Sequence, residues 1–335
     1  MPFILSVKDT YRQAVEAASN GKNTVMYDNR GNPSIMVCIP RFNLSDVIDG
    51  APNTPHPAFI VNGVVKSEIW ISKYQNVVHD NRAYSLPGMN PQTSVDFDTS
   101  KAYCTNKNGD GEEGWHLMTN AEWAAIALWS KKNGTMPRGN NSYGKDHSAP
   151  YETGREATRD SEGRTSKILT GSGPASWSHD HTNAGIFDLN GNVWEWNDGL
   201  RIIDGKIYVH KDNDFETPDN ISNFVDTGAF FDDVGGIVLN SSKTTDNEGQ
   251  VYKEFENLAA ASGYTIPELL KYLAIAPTEG DHGGDRVYAT LGGERFSRRG
   301  GTWSNTSTAG VFYLSLYRTR SDVHSAGGFR SARVL

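Results

Sequence analysis

The stretch Asp188-Leu189-Asn190-Gly191-Asn192-Val193-Trp194-Glu195-Trp196 constrains the fold more than any other part of the chain. Trp194 and Trp196 are core aromatics by size and apolarity. Glu195 between them is then a buried or half-buried charge that needs a partner, and Arg330 is read the same way. The rest of the composition supports a packed molecule rich in loops. Hydrophobic residues make up 37% and charged residues 21% of 335, the balance of a globular protein. The 34 glycines, 8 tryptophans and 14 tyrosines favour tight turns and aromatic packing over long helices. The length allows one large domain with insertions or two ordinary ones.

Charge and cysteine content narrow the function. A net charge of −8 argues against nucleic acid or an anionic membrane as partner, since both need a basic footprint. No apolar run is long enough to span a bilayer. Met1-Pro2-Phe3-Ile4-Leu5-Ser6-Val7-Lys8 has no basic start and no sustained apolar core, so no signal peptide and synthesis in a cytoplasm are expected. Cys38 and Cys104 alone cannot staple a fold of this size.

Local patterns predict an α+β chain. Ser6 to Asn20 reads as a helix capped by Ser6, with Tyr11, Ala14, Val15 and Ala18 on one face. Residues 1–34 therefore form an N-terminal helix and lead-in. Ser34 to Pro40 reads as a strand, and Phe59 to Tyr74 as strands turning at Asn62-Gly63. Ala121 to Lys132 is the clearest helix, with a capping box of Thr119 and Glu122 and a stop at Gly134. Trp123, Ile126 and Ala127 form its buried stripe. Arg138 to Trp177 predicts long ordered loops. Residues 202–292 read as an insertion with a strand at Lys206 to Val209 and helices at Gln250 to Ala260 and Ile266 to Ala274. Thr265 and Glu268 suggest a capping box for the second helix. Val251, Phe255, Leu258, Leu269, Leu270 and Leu273 are expected to form a small cluster belonging to the insertion alone.

Several motifs suggest chemistry and fail on closer reading. Gly109-Asp110-Gly111-Glu112-Glu113-Gly114 has nucleotide-loop spacing, but it follows a helix and its carboxylates would repel phosphate. Asn106, Asn108 and Asp110 imitate half a calcium loop whose twelfth position is Leu117 instead of glutamate. His179-Asp180-His181 lacks a second, distant ligand set. No cofactor or metal is expected, although a structural calcium ion is compatible with the chain. Cys38 on a strand and Cys104 on a helix read as inert small hydrophobes.

Five segments resemble the formylglycine-generating-enzyme branch of the C-type lectin fold. Met36 to Pro40 and Ile69 to Tyr74 resemble its first strands, and His116-Leu117-Met118-Thr119-Asn120-Ala121-Glu122-Trp123 its helix start. Asp188 to Trp196 is similar to its most specific motif. Arg299-Gly300-Gly301-Thr302-Trp303 with Gly328-Phe329-Arg330 completes a C-terminal signature. The resemblance covers about residues 35–200 and 293–335 and implies one lectin-type domain over 35–335, interrupted at about 202–292. It implies scaffold roles for Trp194, Glu195, Trp196, Gly300, Gly301, Trp303, Gly328, Phe329 and Arg330, with the three tryptophans mostly buried. The enzymes of this branch use a C-terminal cysteine pair that binds copper, and no cysteine follows Cys104. Their sulfoxide-synthase relatives use three histidines of a helical domain, and the residues before 35 hold none. No catalysis is therefore expected.

The segment from Gly300 to Leu316 further resembles the variable region of proteins diversified by retroelements. There, adenines of asparagine codons are randomised within a fixed framework. Trp303, Ala309, Gly310, Phe312, Leu314, Leu316, Arg320, Ser321, Gly328 and Phe329 match the framework. Ser304, Asn305, Thr308, Ser315, Tyr317, Arg318, Asp322 and His324 occupy the asparagine slots. Such codons never yield Lys, Glu, Gln or Met, and none occurs from Thr302 to Gly327. Chance gives that absence at roughly the few-percent level. Phe312, Leu314 and Leu316 alternate with Tyr313, Ser315 and Tyr317, the period of a strand with one face in the core. The outward set has the character of an antibody paratope. The resemblance implies a variable surface over about 302–326, composed of Ser304, Asn305, Thr306, Thr308, Tyr313, Ser315, Tyr317, Arg318, Asp322, His324 and Ser325. Its implied partner is a protein or glycan ligand on a cell surface, met by a protein carried on a phage tail or a cell. Display proteins of this kind often assemble as homo-oligomers, which raises avidity.

Overall fold

The computed structural model describes residues 9–335. In chain order, helix α1 (Thr10–Ala18) leads into β1 (Asn23–Tyr27) and β2 (Pro33–Pro40). Helix α2 (Leu44–Val47), the hairpin β3 (Ile60–Val61) and β4 (Val64–Val65), strand β5 (Glu68–Ser72) and the hairpin β6 (Val77–His79) and β7 (Arg82–Tyr84) follow. Next come α3 (Phe97–Thr105), β8 (Trp115–Leu117) and α4 (Asn120–Lys132). Beyond long loops lie β9 (Trp194–Ile203), β10 (Lys206–Val209), β11 (Val225–Asp233), β12 (Ile237–Asn240) and β13 (Gln250–Glu254). Helix α5 (Glu268–Tyr272), β14 (Arg286–Thr290), β15 (Glu294–Arg299), β16 (Leu314–Arg318), β17 (Gly327–Phe329) and β18 (Ser331–Arg333) close the chain.

Among the described residues the strands build two main sheets. One has the order β1-β2-β5-β18-β8. The other runs β12-β11-β10-β9-β15-β16-β14-β13, with β17 beside the first half of β9. Helix α4 packs between them and is buried on nearly every side, Trp123, Ile126 and Ala127 included. Its capping box forms as its sequence dictates: Thr119 Oγ1 accepts from the Glu122 amide, and the Glu122 carboxylate accepts from the Thr119 amide at 2.9 Å. The hairpin turns at Asn62 and Gly63, both with positive φ, as its two-residue loop requires. The loops from Arg138 to Trp177 are held by side-chain clamps. Asn140 donates to the Ser166 carbonyl at 2.8 Å, and Asp146 accepts the Ser148 and Ala149 amides.

The structure corrects four sequence expectations. The expected cap Ser6 lies outside the described residues; within them Asp9 caps α1, accepting from the Arg12 amide at 3.0 Å. Tyr11, Ala14 and Ala18 are exposed on α1 and only Val15 is half-buried, so the helix rests lightly on β1. Gln250 to Glu254 is a strand, not a helix. Val251, Phe255 and Leu258 fit helical spacing by coincidence, while β14 offers an edge that pairs the backbone fully and stacks Tyr252 on Tyr288. Helix α5 is five residues long and starts at Pro267 with no side-chain cap, leaving Thr265 exposed.

Nor do residues 202–292 keep a core of their own. Val251, Phe255, Leu258, Leu270 and Leu273 join the main cluster with Trp123 and Phe312, and Leu269 packs at its edge. The excursion also satisfies buried polar groups of the framework. Asn213 donates to Glu122 Oε1 at 3.0 Å, and Arg299 donates to the Ala274 carbonyl at 2.9 Å.

Candidate ligand-binding cleft

The C-terminal segment is positioned by backbone that only glycine permits. Gly301 has φ +85°, and a Cβ there would meet Ala309 Cβ at 2.7 Å. A Cβ on Gly328 would meet the Gln92 carbonyl at 2.6 Å. Between these two points the chain makes a 3-10 turn at Thr306–Thr308 and enters β16. β16 pairs antiparallel with β15 and parallel with β14. Phe312, Leu314 and Leu316 turn into the core, as the alternation requires.

The other face of β16 floors a cleft of about 290 Å³. Seven of the eleven residues expected at the variable surface line it: Ser304, Asn305, Tyr313, Ser315, Tyr317, Arg318 and His324. Trp194, Tyr288, Arg298, Thr302, Trp303 and Ala326 complete the wall. Tyr313 meets Trp194 edge-on with centroids 4.6 Å apart, and Tyr317 meets Tyr288 edge-on at 5.4 Å. Arg318 lies over the Tyr317 ring at 4.5 Å and pairs with Asp322 at 2.9 Å. His324 Nδ1 accepts the Ala326 amide at 3.1 Å. Burial, with help from the cations Arg298 and Arg318, lowers the His324 pKa, so the imidazole is neutral at pH 7.

Several expected residues stand differently. Tyr313 and Ser315 are buried at 5% and 2% exposure, because β16 is an interior strand roofed by Trp194 and Arg298. They are the floor of the cleft and not part of an open face. Asn305 is half-occupied by its own turn, its Oδ1 accepting from the Thr302 amide at 2.8 Å. Thr306 and Ser325 are exposed but lie outside the cleft, as does the half-buried Asp322. Thr308 borders a separate hollow with Tyr252 and Arg286. Of the scaffold tryptophans, Trp194 and Trp196 are buried; Trp303 is only half-buried, because it stands in the cleft wall.

The remaining scaffold residues are buried: Phe329 and Arg330 fully, Glu195 at 1% exposure. Arg298 and Tyr288 are the cleft residues that the sequence reading passed over. Adjacent residues of a strand point to opposite faces, so Arg298 and Arg299 lie on different sides of β15, and both are buried there.

The other candidate residues are engaged within the fold. Burial and Glu68 push the Cys38 thiol up to about 12, and burial raises Cys104 further. His179 accepts the Ile186 amide at 2.9 Å and His181 bonds the Met136 carbonyl at 3.2 Å. Among the described residues no group of three or more His, Cys, Asp or Glu is placed to hold a metal. A larger hollow of about 560 Å³ between β2 and α4 is mostly apolar and contains none of the variable positions.

The family model described as the sulfatase-modifying factor enzyme 1-like domain matches residues 19–235, well over half of the chain. The chain belongs to that family. Its fold is that of the formylglycine-generating branch of C-type lectin-like domains, in which the paired Trp194 and Trp196 strand and the buried Glu195 form the centre. No curated protein matches this family member. Solved structures similar to it include PvdO from Pseudomonas aeruginosa, at 14% identity and a TM-score of 0.42, covering 93% of this chain and 98% of that one. Treponema denticola variable protein 1 is 15% identical, with a TM-score of 0.35 and coverage of 93% and 98%. The Major Tropism Determinant P3c variant is 11% identical, with a TM-score of 0.33 and coverage of 93% and 71%. Among the described residues of this sulfatase-modifying factor enzyme 1-like chain, no helix is long and apolar enough to cross a membrane.

Proposed function

We propose that the chain is a ligand-recognition protein whose C-terminal cleft is diversified by a retroelement and displayed on a phage tail or a cell surface. The observation that carries this reading is convergence. Positions matching asparagine slots, among them Ser304, Ser315, Tyr317, Arg318 and His324, line one concavity, while the framework residues Ala309, Phe312, Leu314 and Leu316 between them are buried. A surface that must change without unfolding its domain needs that division. Rigid aromatics beside small hydroxyl and amide groups suit adaptable recognition. An oxidoreductase of the formylglycine-generating type is the second reading. It requires a C-terminal pair of reactive thiolates, whereas no cysteine follows Cys104 and both thiols present are held protonated.

The test is a binding screen of the purified chain on glycan and protein arrays, repeated with Tyr317→Asn and Arg318→Asn together. Ligands that change while melting is unaltered support the reading. An unchanged ligand profile sinks it. A template repeat beside a reverse-transcriptase gene would establish the diversification itself.

A further inference from the structure

Arg298 sits on β15 opposite Trp196 of β9 and Ser315 of β16, at 3% exposure. Its guanidinium carbon lies 5.3 Å from the Trp194 ring centre and 5.1 Å from that of Trp196. Its Nε and Nη1 have no hydrogen-bond partner among the described residues. Other buried arginines of this fold are engaged. Arg330 grips Glu195, Arg201 pairs with Asp219 and Glu294, and Arg299 is held by Asn120 and two backbone carbonyls. The carboxylate whose charge acts on it, Asp322, is taken by Arg318. A dry cation facing aromatic rings recovers part of its lost hydration, but only an anion also compensates its charge. Burial lowers its pKa to about 9, so it stays charged at neutral pH.

This cation lines the cleft. We propose that Arg298 is a fixed anchor for the carboxylate of an acidic sugar, with the ring of that sugar lying against the aromatic wall. The inference rests on the ligand-binding reading of the same cleft and gives it a chemical class. A cleft of about 290 Å³ takes one sugar ring. The half-buried Trp303, Tyr288 and Tyr317 in the wall give apolar contact to its C–H side, while Ser304 and Ser315 meet hydroxyl groups. Nε and Nη1 are themselves enclosed, so a carboxylate meets Arg298 at the cleft-facing end of the guanidinium, drawn by its charge. Arg298 also precedes Thr302, where the variable stretch begins. Every variant of the surface therefore inherits the same preference for an anion, and the changing residues choose among acidic ligands.

The experiment follows the Arg298 Nε–H and Trp194 indole N–H resonances of the full chain during titration with D-glucuronate, D-glucose and N-acetylphenylalanine. Glucuronate is expected to shift both signals and to bind at least about tenfold more tightly than glucose, a margin of about 1.4 kcal/mol. Arg298→Met should lose that binding and melt at a higher temperature, since it replaces an unpaired buried cation by an apolar side chain. Three results overturn the proposal: no Arg298 shift with glucuronate, undiminished binding in Arg298→Met, or tighter binding of N-acetylphenylalanine. A lower melting point with unchanged binding would make Arg298 structural and also overturn it. Should Arg298→Met fail to fold, Arg298→Gln and the wild-type titration decide. If glucuronate binds through Arg298 but Tyr317→Asn and His324→Asn leave selectivity among acidic sugars unchanged, the anchor stands and the diversified-surface reading fails.

Discussion

Glu195 and Arg330 form a two-pronged ion pair, Nε to Oε2 at 2.6 Å and Nη2 to Oε1 at 2.7 Å, between side chains at most 1% exposed. Glu195 belongs to β9 of one sheet, and Arg330 stands where the chain leaves β17 for β18 of the other. Arg330 also donates to the Ser72 and Phe187 carbonyls, and Gln75 donates to Glu195 Oε1. The pair thus ties both sheets at one point. Removing one partner strands the other charge, so Glu195→Gln and Arg330→Met should each lose about 3–5 kcal/mol. Urea unfolding measures this, and a loss below about 1 kcal/mol would show that the charges are dispensable.

The tryptophans should separate by burial. Trp196 is fully enclosed by Phe97 and neighbouring apolar groups, and donates to the Val95 carbonyl at 3.1 Å. Trp196→Ala should cost about 3–5 kcal/mol. Trp303, half-buried in the cleft wall, should cost less than half as much. Equal losses would contradict its placement there.

The variable positions should divide in the same way. Exposed Ser304, Thr306 and Ser325 should accept other residues at under about 0.5 kcal/mol each, leaving the melting temperature within a few degrees. Tyr313→Ser should cost several-fold more, because it uncovers Trp194 and leaves a void. Thermal melts of the separate variants distinguish the two classes. A harmless Tyr313→Ser would mean that the floor of the cleft is not packed.

His56 gives a pH signature. Its Nδ1 accepts the Ala58 amide at 3.1 Å and its Nε2 meets the Tyr272 carbonyl at 2.9 Å, and the His56 side chain is fully buried. Burial lowers its pKa to about 4. The unfolded chain takes up this proton near pH 6.5 and the folded chain only near 4, so the unfolded state binds more protons in between. The contribution of His56 is therefore whole above about pH 6.5 and drains away as pH falls towards 4. The stability gap between wild type and His56→Gln should shrink over that window by about 3 kcal/mol. A gap that widens on acidification would reverse the assignment.

Limited proteolysis should not release residues 202–292 as a fragment, because their apolar side chains lie in the common core and Asn213 and Ala274 bond the framework. Early cleavage throughout this region would contradict the sheet.

What the sequence reveals follows how local each signal is. The capping box at Thr119 and the turn at Asn62-Gly63 are fixed by neighbours a few residues apart and are found as read, while the alternation of β16 holds for Phe312, Leu314 and Leu316 but not for the exposure of Tyr313 and Ser315. The β13 strand is not local. Its identity depends on β14, which lies more than thirty residues away, whereas the spacing of Val251, Phe255 and Leu258 satisfies the helical period. Tyr313 and Ser315 were legible as facing away from the core, but not as covered. Their cover comes from Trp194 and Arg298, on strands whose arrival no pattern within the segment announces. Arg298 was missed for the same reason: an arginine on a strand looks solvated until its surroundings are known.

The pairing of β16 with a strand on each side has one more consequence. An outermost strand presents unpaired amides and carbonyls that can recruit other chains. A segment whose side chains are repeatedly redrawn would sooner or later acquire a sticky, strand-favouring set. Because β14 and β13 flank it on the outer side, the backbone of β16 has no free row to offer, and a poor draw can lose its ligand without seeding aggregation.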